Sequence, residues 1–166
     1  MLTMIKNNKK RLFGLIALSV LCVTASCSEN DFFNEYQSVQ NGWNKEDLKR
    51  YDFESLDTIS EYKSYINIRT NSEYPFSNLF LIVKMFPPEG EAVVDTLQYQ
   101  MAKPDGSMLG SGFTDIKEHK LVWREHLKLK TQGVYKIEIE HAMRKVNEVK
   151  GEAVLNGITE IGLQIQ

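Results

Sequence analysis

Cysteine is scarce in this sequence and is confined to its start. The chain has two cysteines, Cys22 and Cys27, and no cysteine follows Cys27. The rest of the chain can therefore form no disulfide bond, no thiolate metal site and no cysteine nucleophile. Its stability must come from a hydrophobic core, which a domain of roughly 140 residues is long enough to bury.

Positive charge is also scarce once the first 26 residues are set aside. Four of the 20 basic residues lie there, namely Lys6, Lys9, Lys10 and Arg11, and none of the 22 acidic residues does. The remainder carries 16 basic and 22 acidic side chains, a formal charge of −6. This balance argues against binding to nucleic acid, which needs clustered Lys and Arg to replace phosphate counterions. It also argues against adhesion to an anionic membrane through charge.

No hydrophobic run is long enough to cross a bilayer as a helix. The longest, residues 12–23, has 12 residues, whereas a spanning helix needs about 20. It follows a basic stretch at residues 4–11 and ends at Thr24-Ala25-Ser26-Cys27, which predicts a removable export signal. The small residues before Cys27 resemble a lipobox, where a bacterial enzyme attaches diacylglycerol to cysteine. An ordinary signal peptide and an uncut membrane anchor are the alternatives.

Apolar residues alternate with polar ones in several short segments, which is typical of half-buried β-strands. Residues 79–86 are apolar on both faces and predict a central strand. Residues 121–129 and 134–143 flank Thr131-Gln132-Gly133 and predict a β-hairpin. Only residues 44–50 suggest a helix, of one or two turns. The other predicted strands are 62–69, 93–101 and 158–165.

Several short strands with turns between them predict an all-β fold. We expect an antiparallel β-sandwich, of jelly-roll or immunoglobulin-like topology, and the pattern alone does not separate the two. The chain is thus predicted to comprise a signal peptide over residues 1–26, a lipidated cysteine with its tether over residues 27–31, and a single β-sandwich domain over residues 32–166.

The sequence lacks the spacings that catalytic and metal sites need. The histidines His119, His126 and His141 stand in no HExxH or CxxC pattern, so neither a metal nor another cofactor is predicted. His126 is expected on the face opposite Trp123, and His141 as a hydrogen-bonded boundary residue. Gly110-Ser111-Gly112 lacks the spacing of a nucleophile elbow and precedes no helix that could bind phosphate.

One acidic residue, Glu125, interrupts the apolar face of residues 121–129. Catalysis by paired carboxylates needs a second acid at a defined separation. We favour a rim position for Glu125, or an ion pair with Arg69 or Arg144, over a catalytic role.

Aromatic side chains on a secreted sandwich can bind sugars or proteins. The alternation of its strand points Trp123 into the core. Trp43 follows Asn41-Gly42 in a loop-like stretch and is either an exposed contact or, as we favour, a plug on one end of the sandwich. The candidates are Trp43, Trp123, Phe32, Phe33, Tyr36 and Tyr51.

A series of stretches occurs in a distinctive order along residues 43–165. They are the Trp43 region, Tyr65–Arg69, Tyr74–Leu79, Asp95–Leu97, Asp105–Gly112, Gly133–Tyr135, His141–Arg144 and Gly157–Leu163. In this order they resemble the gliding motility lipoprotein GldH family of Bacteroidetes. The resemblance implies an envelope lipoprotein that is needed for gliding and acts beside other gliding proteins. It implies no enzyme activity, and the family has no catalytic residues to carry over.

Two functions are compatible with these observations. The first is a non-enzymatic, lipid-anchored protein of the gliding and secretion machinery that binds other envelope proteins, with Trp43, Arg69 and Arg144 as candidate contacts. The second is a carbohydrate-binding surface lipoprotein that captures glycans. Lipid on Cys27 implies an outer membrane lipoprotein. Ser28-Glu29-Asn30-Asp31 is similar to the acidic tag of surface-exposed lipoproteins, but a periplasmic orientation is equally open.

Overall fold

A computed structural model describes residues 31–112, 115–145 and 149–166 of the chain. Asp31–Gln166 forms one compact unit. Cys27 and the predicted signal peptide lie outside the described residues. No helix in the described part is long and apolar enough to cross a membrane.

The described residues form ten β-strands. They are β1 Phe33–Ser38, β2 Trp43–Asn44, β3 Lys49–Ser55, β4 Glu61–Thr70, β5 Asn78–Phe86, β6 Val93–Gln100, β7 Lys117–Lys128, β8 Gly133–His141, β9 Val154–Leu155 and β10 Ile158–Ile165. Every strand pairing is antiparallel.

The eight longer strands build two four-stranded sheets. The first sheet has the order β1-β10-β4-β7 and the second sheet has the order β3-β8-β5-β6, while β2 pairs with β9. Counted without β2 and β9, the strands run 1-8-3-6 in one sheet and 2-7-4-5 in the other. That is the order of a jelly roll, in which two Greek keys interlock. The predicted antiparallel β-sandwich is confirmed, and the strand order selects the jelly-roll alternative.

The core lies between the sheets because every second residue of the central strands points inward. In β5, Leu79, Leu81, Val83 and Met85 are buried, and the residues between them are half-buried. This strand lies between β8 and β6, as its apolar sequence predicts. The Tyr51 hydroxyl donates a buried hydrogen bond of 2.7 Å to the carbonyl of Ile161 and so joins the second sheet to the first.

Two local predictions are wrong. The turn after β7 does not close a hairpin, because β7 pairs with β4 while β8 pairs with β3 and β5. Alternation reports which face of a strand is buried, and it does not report the partner strand. Residues 44–50 are not helical, because Trp43 and Asn44 pair with β9 and Lys49 already begins β3. Between them the chain makes only a turn, in which the Asp47 N–H donates to the Asn44 carbonyl at 3.0 Å.

The two ends of the sandwich carry different loops. We call the end with Phe32, Ile165 and the loops after β3, β5 and β7 the tether end, since β1 begins and β10 ends there. We call the opposite end, with the loops after β1, β4, β6 and β8, the far end. Asp31 already belongs to the folded unit, because its carboxylate accepts hydrogen bonds of 2.8 Å from Asn34 and Gln164.

Candidate functional site

The outer face of the first sheet brings an arginine between two glutamates. The strand register sets Arg69 on β4 directly beside Glu160 on β10 and Glu118 on β7. The guanidinium pairs with Glu160, and its Nε lies 3.5 Å from a Glu118 carboxylate oxygen. About a third of the Arg69 side chain, 36 %, remains exposed. Arg69 is therefore fixed in position and still accessible.

Tyr36 completes this cluster from the edge strand β1. Its hydroxyl donates a hydrogen bond of 2.7 Å to Glu118, and the Arg69 guanidinium lies 4.7 Å from the ring centroid. The ring crosses β10 at Gly162, where a Cβ atom would come within 2.8 Å of it, so the position needs glycine. Burial, together with the hydrogen bond to Glu118, raises the pKa of Tyr36 to about 12. The hydroxyl is thus a neutral donor at physiological pH.

Buried amides support the same face from the side of the tether end. Asn67 and Gln164 are almost fully buried on neighbouring strands, and their side-chain amides lie 3.4 Å apart. Next to them the Lys120 ammonium lies 4.3 Å from the Tyr65 ring centroid. We call Tyr36, Tyr65, Arg69, Glu118 and Glu160 the Arg69 face.

The charged groups of the Arg69 face are paired with one another. Arg69 binds both glutamates, and Tyr36 occupies Glu118 as well, so the carboxylates are held as ion-pair acceptors. Arginine and tyrosine that are already ordered lose little conformational entropy on binding, which is why they recur as anchors of protein interfaces. Within residues 31–112, 115–145 and 149–166, no group of three or more potential ligands is arranged to hold a metal ion.

The structure does not gather the three predicted binding residues into one surface. Trp43 is buried at the far end, with 0 % of the residue exposed, and its indole N–H donates a 2.8 Å hydrogen bond to the Asp47 carbonyl. The plug interpretation of Trp43 is confirmed. Arg69 lies on the outer face of the first sheet, and Arg144 is exposed on the segment that follows β8 of the second sheet.

The histidines and Glu125 lie apart from the Arg69 face or below it. His119 and His141 are buried, with Nε2 atoms 3.2 Å from the Thr70 hydroxyl and 3.1 Å from the Trp43 carbonyl respectively. His126 is exposed on the face opposite Trp123, as predicted, and lies 3.0 Å from Glu61. Glu125 is an exposed rim residue 3.7 Å from Lys63, so the suggested ion pair with Arg69 or Arg144 is wrong.

The aromatic candidates do not form an exposed sugar platform. Trp43, Tyr51 and Trp123 are buried in the core, and the Trp123 indole donates a hydrogen bond of 2.8 Å to Asp95. Phe33 and Tyr36 are half-buried, while Phe32 is partly exposed at the tether end. These positions remove the observation that motivated carbohydrate binding.

A groove of about 550 Å³ lies on the outer face of the second sheet. Its lining includes Arg50 and Glu138, which form a 2.9 Å ion pair, and one partly exposed ring, Phe86. A single ring among paired charges offers little stacking surface for a sugar.

Comparisons with known proteins agree with the family resemblance. The family model described as GldH lipoprotein matches residues 31–165. The chain is 43 % identical over 153 residues to the gliding motility lipoprotein GldH of Flavobacterium johnsoniae, covering 92 % of this chain and 94 % of that protein. It is 40 % identical over 151 residues to the GldH homolog of Christiangramia forsetii, covering 91 % and 93 % respectively.

Among solved structures, the chain matches structures of infectious bursal disease virus at low TM-scores. The VP2 subviral particle of infectious bursal disease virus matches with a TM-score of 0.34 and 13 % sequence identity, over 80 % of this chain and 29 % of the viral chain. The Gt strain of the same virus matches with a TM-score of 0.31 and 11 % identity, over 82 % of this chain and 29 % of that chain. The chain thus spans less than a third of these viral chains.

Proposed function

Because the chain belongs to the GldH lipoprotein family, we propose that it is anchored by lipid in the cell envelope and serves gliding motility by binding other proteins, without catalysing a reaction. The family match over residues 31–165 supports the gliding role. The Arg69 face is the observation that supports binding. It presents an ordered arginine and two tyrosines on the open side of a sheet.

The anchor in this proposal is the acylated thiol of Cys27, and the membrane is the outer membrane. Two or more acyl chains hold a soluble domain at a bilayer, since each buried methylene contributes about 0.8 kcal/mol. The partners are other envelope proteins of the gliding and secretion machinery. Mass spectrometry of the mature N-terminus tests the anchor directly, and an unmodified Cys27 would remove it.

The Arg69 face has the composition of an interface centre. Binding energy concentrates on a few Arg, Tyr and Trp side chains, which near-neutral contacts shield from water. Val122 lies beside Tyr65 on this face and is 41 % exposed. It therefore offers a position for a crosslinker that leaves the cluster itself intact.

The first test replaces Arg69. We expect Arg69→Glu to place three carboxylates together, abolish partner binding and stop colony spreading in a gliding host that carries this chain as its GldH. Immunoblots of the membrane fraction check that the variant is still made. The matched control is Arg50→Glu, which reverses the charge of an exposed arginine on the outer face of the second sheet. Colonies that carry this control should spread normally.

The second test locates the partner without disturbing the cluster. A photoreactive amino acid at position 122 should crosslink to an envelope protein that gliding requires. Position 94 is an exposed valine on the outer face of the second sheet. The photoreactive amino acid placed there should not crosslink to that protein. Equal crosslinking from both positions would remove the Arg69 face as the contact. Normal spreading after deletion of the gene would remove the gliding role.

A further inference from the structure

The loop after β3 carries two large aliphatic side chains in open solvent. Leu56 is 70 % exposed and Ile59 is 88 % exposed. We propose that Leu56 and Ile59 insert into the surface of the bilayer that holds the Cys27 lipid. This inference rests on the lipid anchoring proposed above, and it adds a second, direct contact between the domain and the membrane.

Hydrogen bonds fix the backbone of the loop, so Leu56 and Ile59 are held in exposed positions. The Asp57 carboxylate accepts hydrogen bonds from the backbone N–H groups of Ile59, at 2.8 Å, and Ser60, at 3.1 Å. The Ser55 hydroxyl donates to the Asp57 carbonyl at 3.0 Å, and Gln132 donates to the Leu56 carbonyl at 2.8 Å. A tight turn of this kind turns its polar groups inward and leaves Leu56 and Ile59 facing out.

The loop lies at the end of the domain to which the lipid tether leads. Phe32 directly precedes β1, and its ring packs against Phe53 and Tyr62, the aromatic residues on either side of the loop, at 5.8 and 4.9 Å between centroids. Five residues from Cys27 to Phe32 span at most about 18 Å. The polar layer of a bilayer is itself about 5–8 Å deep on each side. An acylated Cys27 therefore keeps the tether end within reach of the membrane.

Further apolar side chains are exposed at the same end of the sandwich. They lie at the start or finish of strands whose inner faces build the core, so their exposure leaves core packing unaffected. Besides Leu56 and Ile59, the partly exposed large apolar residues of the described tether end are Phe32, Phe86, Val93 and Val134. Two side chains would not hold a free protein at a membrane, but a lipid tether supplies a high local concentration for weak insertion.

The charge of the loop points to apolar insertion and away from attraction of the loop by anionic lipid. Asp57 is the one charged residue of the loop at residues 56–60. Hydrogen bonds from the Ser60 hydroxyl and from the backbone of Ile59 and Ser60 lower the pKa of Asp57 to about 2, so it is anionic at any growth pH. Anionic headgroups would repel it. The contact should therefore form on zwitterionic lipid.

The experiment reports the depth of single positions in the lipidated protein. The mature lipoprotein is reconstituted in phosphatidylcholine vesicles after Ile59→Cys, and a polarity-sensitive fluorophore is attached to the new thiol. The matched control is Val149→Cys at the far end, where the valine is 98 % exposed. We expect a several-fold rise in emission from position 59 and at least twofold quenching by nitroxide-labelled lipid, with neither effect at position 149.

The outcomes separate this proposal from the anchor on which it rests. Acylated Cys27 has no free thiol, so the unaltered protein should take up no fluorophore. Labelling of the unaltered protein would show that the anchor is absent, and the loop proposal would fall with it. If the unaltered protein takes up no fluorophore, and the labels at positions 59 and 149 give the same water-like emission, the anchor stands and membrane insertion of the loop is overturned. Insertion that requires added phosphatidylglycerol would also overturn it, because charge would then be the cause.

Discussion

Two histidines in the interior link the stability of the domain to pH. Burial lowers the pKa of His119 and of His141 below the ordinary value of 6.5. The unfolded chain takes up these protons near pH 6.5 while the folded protein does not. The contribution of the two histidines to the free energy of unfolding should therefore be complete above pH 6.5. It should fall as the pH drops below that value, by up to about 1.4 kcal/mol per histidine and pH unit.

Urea unfolding at pH 8 and pH 5 measures this effect. His119→Asn keeps a polar group near Thr70 and removes one titrating ring, so it should flatten the dependence of the urea midpoint on pH. The control is His126→Asn, which changes an exposed ring. A dependence that is unchanged in His119→Asn but flattened in His126→Asn would contradict the assignment.

Single residues also show what can be read from the sequence. The inward direction of Trp123 and the outward direction of His126 were predictable, because both follow from alternation along one strand. The cluster around Arg69 was not, since Tyr36, Glu160 and Glu118 come from three strands distant in sequence. Only the register of β1, β10, β4 and β7 brings them together.

Two edge strands of opposite sheets are fastened to each other at one side of the sandwich. Asp95 on β6 accepts hydrogen bonds from the Trp123 indole at 2.8 Å and from the Arg124 guanidinium at 3.0 and 2.7 Å. The Tyr99 hydroxyl donates to the Val122 carbonyl at 2.7 Å. These bonds join β6 to β7, which belong to different sheets and share no backbone pairing in the described strand order.

Asp95→Ala tests this fastening. The variant leaves the partly buried indole N–H without its partner, so we expect a loss of about 1–3 kcal/mol in the free energy of unfolding. Urea titration followed by tryptophan fluorescence measures it. Asp52→Ala, at an exposed position on the outer face of β3, should cost less than about 0.5 kcal/mol. Equal losses in the two variants would show that the Asp95 hydrogen bonds contribute little.

A strand can be predicted from the sequence when its apolar residues follow a regular pattern. Residues 62–69, 79–86 and 158–165 were predicted with small boundary errors, because isoleucine and leucine alternate with other residues near Ile66 and Ile161 and apolar residues fill most of 79–86. β1 reads Phe-Asn-Glu-Tyr-Gln-Ser and β3 alternates only around Tyr51 and Phe53, so neither was predicted. Tyr36 was therefore not placed on a strand, and its contact with Arg69 could not be anticipated.

The strand order couples the first and the last of the described strands. β10, the last strand described, lies between β1 and β4, so it supplies the partner of the first strand and an inner strand of the first sheet. Ile161, Leu163 and Ile165 also place three fully buried side chains in the core. Contacts that close such long loops form late, which makes jelly-roll folding slow. The sandwich cannot close until residues 158–165 are available to pair with β1 and β4.

Truncation tests that dependence on the whole chain. A chain that ends at Gly157 loses the β10 core residues and leaves β1 and β4 without their shared neighbour. We expect it to give no cooperative urea transition and to be digested rapidly by protease at concentrations that spare the full-length protein. Deletion of residues 28–30, which precede the folded unit, should leave the transition intact. A cooperative transition in the chain ending at Gly157 would show that the other strands form a stable sandwich alone, and assembly would then not depend on the arrival of β10.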